Sequence, residues 1–297
     1  MSEAVTFFVE DEIASQPACW RQAAALSAGI AEDLRAPGER VGFTGCGTSW
    51  FMAQIIASWR EAAGLGESDA FSASEVPDRP YDRIVAITRS GTTTEVVELL
   101  QSLQGHVPTR VVLGDQSTSA ARLADGVVDL SFADEQSVVQ TRFATSVLAL
   151  YRAAYGADVD PLAAAAAEAV AEPLTEGRAE AEQVSFLGRG WSVGLAHEAA
   201  LKYRETSSSW TESYPAMDYR HGPISIARPG RLVWMFGEPP AGLAEQVRAT
   251  GATFVASGRD PMVELVTVQR VAVARARLLG LNPDTPQHLA RSVVLDG

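Results

Sequence analysis

The stretch 41–63, VGFTGCGTSWFMAQIIASWREAA, recurs in altered form at 184–206 as VSFLGRGWSVGLAHEAALKYRET. Val41, Phe43, Gly45, Gly47, Ser49 and Ala53 reappear, in the same order and spacing, as Val184, Phe186, Gly188, Gly190, Ser192 and Ala196. Each copy opens as a short apolar run ending in glycine, turns on Gly-x-Gly, and continues with helical periodicity: Phe51, Ile55, Ile56 and Trp59 in the first. The units that follow also match. RIVAITRSGTTTEVVELLQSL at 83–103 and VVLGD at 111–115 have counterparts in RLVWMFGEPPAGLAEQVRATG at 231–251 and TFVASG at 253–258. Strands that alternate with helices can be buried only in parallel sheets covered on both faces. The chain is therefore predicted to be α/β, with two tandem domains, each a three-layer αβα sandwich around a parallel sheet. The first covers 1–160, with flanking helices near 14–35 and 138–155. An alanine-rich helical linker spans 161–183, alanine being the best helix former. The second domain covers 184–297.

The two copies differ where their second strand meets its helix. The first has TRSGTTTE at 88–95, and the second has GEPPAG at 237–242. A helix N-terminus presents unsatisfied N–H groups and about half a positive charge. Thr88, Ser90, Gly91, Thr92, Thr93 and Thr94 add neutral donors to such an end, so a phosphate can be held there without a basic patch. Ordinary N-capping accounts for one such hydroxyl and not for five. The prolines of the second loop lack an N–H altogether. A phosphate-type anion site is thus expected in the first half. The GCGTS turn reaches the same sheet edge, where open α/β sheets bind ligands. The net charge of −13 fits this economy, and the absence of a basic stripe argues against nucleic acid as a partner. Cys19 and Cys46 lack metal-ligand spacing, so no metal is expected. The acidic N-terminus shows no signal peptide. No apolar run reaches the ~20 residues of a membrane span. The expectation is a reduced, cytoplasmic protein with no membrane association.

EAALKYRETSSSW at 198–210 holds the only lysine; every other member of the 24 Lys+Arg residues is arginine. Arginine stays charged, whereas a lysine is a compact donor with a movable pKa. Glu198, Lys202 and Glu205 share one helix face. A solvated ion-pair face would explain that spacing. Ala199, Ala200 and Leu201 instead suggest a helix packed on much of its surface, where a carboxylate beside an ammonium could serve as a general base. His221 precedes Gly-Pro in YRHGP, a rigid turn that also suits a structural histidine.

With these residues together, the sequence resembles the tandem sugar isomerase (SIS) domain family: the isomerase half of glucosamine-6-phosphate synthase and the stand-alone amino-sugar-phosphate deaminase/isomerases. GCGTSW at 45–50, TRSGTTTE at 88–95, EAALKYRETS at 198–207, ESYPAMDYRHGP at 212–223 and the C-terminal PQHLARSVVLDG carry the likeness, and DEQSVVQTRFATSVL at 134–148 looks closer to the deaminases. The resemblance implies that Cys46, Gly47, Thr48, Ser49, Thr88, Arg89, Ser90 and Thr93 hold a sugar phosphate, with Val138 and Gln140 beside the sugar. It implies that Glu205 moves a proton between C1 and C2, that Lys202 and Glu198 support it, and that His221 assists ring opening, reaching across a homodimer interface. No metal or organic cofactor is implied.

Three departures shape the expected activity. No glutaminase domain precedes residue 1, and Arg291 stands where synthases carry a lysine that engages the substrate carbonyl. Arginine does not form a Schiff base under ordinary conditions. Thr88 and Arg89 also replace a more usual Ser-Gln pair. The reading is a phosphosugar aldose–ketose isomerase or an amino-sugar-6-phosphate deaminase. A deglycase acting on a sugar-phosphate adduct of an amino acid, and a non-catalytic sugar-phosphate sensor, are the alternatives.

Overall fold

The computed structural model describes residues 6–295. Both repeats of the sequence build a parallel sheet with its founding strand in the interior. In the first, β1 (Val41–Gly45) lies between β2 (Ser68–Ser72) and β3 (Arg83–Thr88). Beyond β3 follow β4 (Thr109–Leu113) and β5 (Gly126–Asp129), giving the order β2-β1-β3-β4-β5. In the second, β6 (Gln183–Gly188) lies between β7 (Trp210–Pro215) and β8 (Arg231–Met235), with β9 (Thr253–Val255) outside β8. All pairings are parallel. The chain leaves β1 to one side and returns on the other at β3. The carboxyl ends of these two strands therefore form a topological switch point, the place where open α/β sheets leave a crevice.

Side chains alternate between the faces, as the pleat requires. Ile84, Ala86, Val111 and Leu113 point to the face covered by α3 (Thr94–Leu103) and α4 (Ser119–Leu123). Phe43 points the other way, edge-on to Tyr151 of α5 (Arg142–Ala154) at 5.8 Å, and α2 (Thr48–Ala62) packs against α5. The second sheet repeats the scheme. Leu187, Val233 and Met235 meet α8 (Leu243–Ala249). Phe186 and Trp234 face α7 (Ser192–Ser207) and α9 (Pro261–Leu278), through Tyr203 and through Glu264, which accepts the Trp234 indole N–H at 2.6 Å.

The compact units are not contiguous in sequence. One joins the segment ending at Ala14, Gln136–Val139 and Ala164–His288; the other joins Ser15–Glu135, Gln140–Ala163 and the segment from Leu289 onward. The boundaries expected at 160 and 184 differ because long-range hydrogen bonds tie distant segments together. The helix expected near 14–35 is α1 (Phe8–Arg35), and it starts earlier because the Asp284 carboxylate accepts the N–H groups of Phe8 and Val9, each at 2.8 Å. Val138 N–H donates to the Asp284 carbonyl at 3.1 Å. The linker is helical only over α6 (Asp160–Ala171). There Arg270 takes the Ala169 and Glu172 carbonyls at 2.6 and 2.7 Å, and Pro173 follows, so the remainder to 182 is irregular.

Candidate functional site

The two Gly-x-Gly turns share a geometry that only glycine allows. A Cβ on Gly45 would lie 2.5 Å from the Ser49 Cβ, and one on Gly188 would lie 2.3 Å from the Ser192 carbonyl. Gly47 and Gly190 both have a φ of +53°. Their hydroxyls differ. Ser192 Oγ accepts the Arg189 N–H at 2.9 Å and lies 3.0 and 3.1 Å from the Arg189 and Phe236 carbonyls. Ser49 is buried at the corresponding place, and its hydroxyl takes no hydrogen bond among the described residues. Thr48 is buried beside it, and Cys46 is a half-buried free thiol whose pKa burial, aided by Glu95, pushes up.

The loop after β3 lies across the switch point from that turn, since β1 pairs with β3. Its hydroxyls divide into two groups. Thr88 Oγ1 accepts the Gly91 N–H at 3.2 Å, which shapes the turn. Thr92 pairs with Ser292 at 2.9 Å, Thr94 N–H donates to the Val293 carbonyl at 3.1 Å, and Leu295 N–H donates to Thr94 Oγ1 at 2.9 Å. The C-terminal segment thus occupies donors of the α3 N-terminus that the sequence reading left open to a ligand. Ser90 and Thr93 are engaged only within the loop: their hydroxyls lie 3.5 Å apart, and Ser90 Oγ accepts the Thr92 N–H at 3.3 Å.

Arg89 is not displayed from this loop. It is 1% exposed, donates to the Arg291 carbonyl at 3.0 Å, and lies 3.9 Å from the buried Glu135 carboxylate. Glu135 was not singled out by the sequence reading. It accepts the Thr141 hydroxyl and the Arg142 N–H at 2.8 Å each, fixing the chain beside Gln140. Burial pushes its pKa up against the pull of Arg89. The only local signal was its place inside the DEQSVVQTRF block. Arg291 is also committed to protein: it donates to the Glu135 carbonyl and to Asp134 at 2.5 and 2.7 Å. Gln140 is half-buried, and its side-chain oxygen is buried without a hydrogen-bond partner among the described residues. Val138 belongs to the other compact unit.

That second unit holds the acid–base candidates. α7 is buried over most of its circumference, because it packs on both its own sheet and α9. Lys202 is 1% exposed and Glu198 is fully buried, with Nζ 3.7 Å from Glu198 Oε1. Lys202 also donates to Glu205, whose side chain retains 17% exposure. The expected face is therefore an interior carboxylate–ammonium–carboxylate row rather than a solvated one. Only Glu205 keeps appreciable access to a ligand. Arg60 shows how the chain uses a buried arginine instead: its guanidinium gathers backbone carbonyls of Arg35, Ala36, Glu39, Leu65 and Glu67. His221 ends a 3₁₀ turn (Asp218–His221) and is exposed. Among the described residues no His/Cys/Asp/Glu group could hold a metal ion, and no helix is long and apolar enough to cross a membrane.

Layer order, parallel pairing and switch-point loops define an open αβα fold. No family model matches the chain. Among solved structures it is similar to a glucosamine-6-phosphate deaminase from Thermotoga maritima. The TM-score is 0.81 at 24% identity, covering 97% of this chain and 99% of that one. It is also similar to a tagatose-6-phosphate ketose/aldose isomerase from Escherichia coli, with a TM-score of 0.80 at 18% identity and coverage of 98% and 99%. These likenesses establish the fold. Among curated sequences, a glutamine–fructose-6-phosphate aminotransferase (isomerizing) from Xylella fastidiosa is 27% identical across 97% of this chain. One from Sulfurisphaera tokodaii is 26% identical across 87%. The chain spans 59% and 50% of those two relatives.

Proposed function

We propose that this chain consists of two tandem SIS domains and acts on a phosphorylated hexose or amino-hexose, as an aldose–ketose isomerase or an amino-sugar-phosphate deaminase. The observation that carries the reading is the row Glu198–Lys202–Glu205, where one carboxylate is buried behind an ammonium and the other stays accessible. Glu205 is the base that moves a proton between C2 and C1 of the open chain. Lys202 donates to Glu205 and orients it, with Glu198 as a further contact of the ammonium. If C2 bears an amine, the proton shift gives an imine, and water converts it to the ketose and ammonia. Ser90, Thr93 and the GCGTS turn are the phosphate ligands, with Thr88 shaping their loop. His221 assists ring opening, contributed across a homodimer interface in a cytoplasmic protein. The names of the similar proteins support the substrate class: they describe a deaminase, an isomerase and isomerizing aminotransferases of hexose 6-phosphates.

A screen of hexose and amino-hexose 6-phosphates, following ketose formation and ammonia release together, tests this reading. Ketose without ammonia marks an isomerase, and both together mark a deaminase. Neither product from any of them, with binding retained, would leave a sensor or a deglycase instead.

A further inference from the structure

A polar pocket of about 140 Å³ lies within the second compact unit. Its walls come from the irregular segment after α6 (Glu172, Arg178), the loop before α9 (Ser257, Arg259) and one face of α9 (Glu264, Thr267). Arg270, two turns into α9, closes it. None of these residues belongs to the switch-point loops or to the α7 row.

The charges in the pocket are unevenly satisfied. Glu264 is spent, accepting the Trp234 indole N–H and the Ser257 hydroxyl. Glu172 is paired with Arg259 at 2.6 Å. Arg270 is held by the Ala169 and Glu172 backbone carbonyls, and desolvation depresses its pKa against a lesser pull from the Glu172 carboxylate. Arg178 stacks on the Trp234 ring, 4.8 Å from its centroid, and its guanidinium makes no hydrogen bond among the described residues. Thr267 is 7% exposed, and its hydroxyl is buried with no partner among the described residues. A buried hydroxyl without a partner is rare, because it forfeits its water for nothing in return. The lining thus holds three guanidiniums against two carboxylates that already have partners. The stacked guanidinium keeps its N–H fork unspent, the geometry suited to planar, bidentate recognition of an oxyanion. The volume suits a group the size of a phosphate.

We propose that this pocket is a second, oxyanion-binding site, separate from the sugar-phosphate loop, in which Arg178 and Thr267 hold a phosphate group against the α9 face. The Trp234 indole N–H, on the same ring that Arg178 covers, supplies a local reporter. Inorganic phosphate titrated into the full ¹⁵N-labelled chain should shift the Trp234 indole resonance, assigned through Trp234→Phe, in a saturable manner. Ser90→Ala with Thr93→Ala should leave that shift intact. Arg178→Gln should abolish it or weaken the apparent affinity about tenfold or more, and Thr267→Val, which keeps its shape and tests the site should the arginine variant not fold, should weaken it several-fold. A Trp234 resonance that stays still while backbone resonances at 88–94 move with phosphate would overturn the proposal. So would a saturable shift unchanged in both Arg178→Gln and Thr267→Val.

Discussion

The turn after β1 and the turn after β6 have the same backbone and different chemistry. Both place glycine against a serine four residues on, and both set the next glycine at the same positive φ. In the second copy the serine hydroxyl is fully engaged by its own turn and by Phe236. The companion loop there opens a seven-residue helix at whose start the Arg220 guanidinium donates to the Ala241 carbonyl at 2.6 Å. That loop is thus tied down by a side chain of a distant segment. In the first copy the serine has no such engagement, and Ser90 and Thr93 face each other at the head of a longer helix. One turn backbone can thus persist in two copies whose hydroxyls are engaged differently. The acid–base candidates of the second copy lie instead on α7.

The strongest way to break this comparison is at α7. Glu205→Gln keeps the shape and removes the basicity. It should lower C2 proton exchange by about a hundredfold or more while leaving ligand affinity nearly unchanged. Deuterium incorporation from solvent at the wild-type rate would remove Glu205 from the role of base.

Lys202→Ala strands Glu198 in the interior and should cost about 3–5 kcal/mol of stability as well as activity. Lys202→Arg should fold and still lose most turnover, since a planar fork beside two carboxylates locks the base in a bidentate pair. Urea unfolding alongside initial rates separates the two effects. Equal rates and pH profiles for Lys202→Arg and the wild type would reduce the lone lysine to an accident of codon usage.

The two turns should then respond in opposite ways. Ser192→Ala leaves the Arg189 N–H unsatisfied and should cost about 1–2 kcal/mol in stability with little change in KM. Ser49→Ala should raise KM with little change in stability, and Ser90→Ala with Thr93→Ala should raise it about tenfold or more. Identical behaviour of Ser49→Ala and Ser192→Ala would erase the distinction.

The smallest effect concerns Glu135. Its folded-state pKa is raised, so in the window above the ordinary carboxylate range the native chain holds a proton that the unfolded chain has released. Stability should therefore fall as pH rises through that window. Glu135→Gln should flatten this part of the unfolding free energy against pH; an unchanged slope would place its source elsewhere.

The fold was legible because duplication and periodicity are local. VGFTG and RIVAIT appear as β1 and β3 within a residue of their reading. The edge strands β2, β5 and β7 were missed, since SDAFS, GVVD and WTESYP are short or carry little apolar alternation of their own and are recruited by pairing with β1, β4 and β6. The same contrast holds in the site. The α7 row could be read from spacing alone, because a helix fixes which residues share a face. The roles of Glu135, Arg291 and Asp284 could not, because each acts through a partner more than a hundred residues away or through burial that sequence spacing does not encode.

The lone lysine has a practical consequence for chemical labelling. Apart from the α-amino group, an acylating reagent finds one primary amine in the whole chain, and that amine is shut inside the protein. Its acylation rate is therefore a clock for the opening of α7. Slow modification that tracks global unfolding would place the helix in the most protected part of the fold, and faster modification would measure a local excursion without any engineered probe.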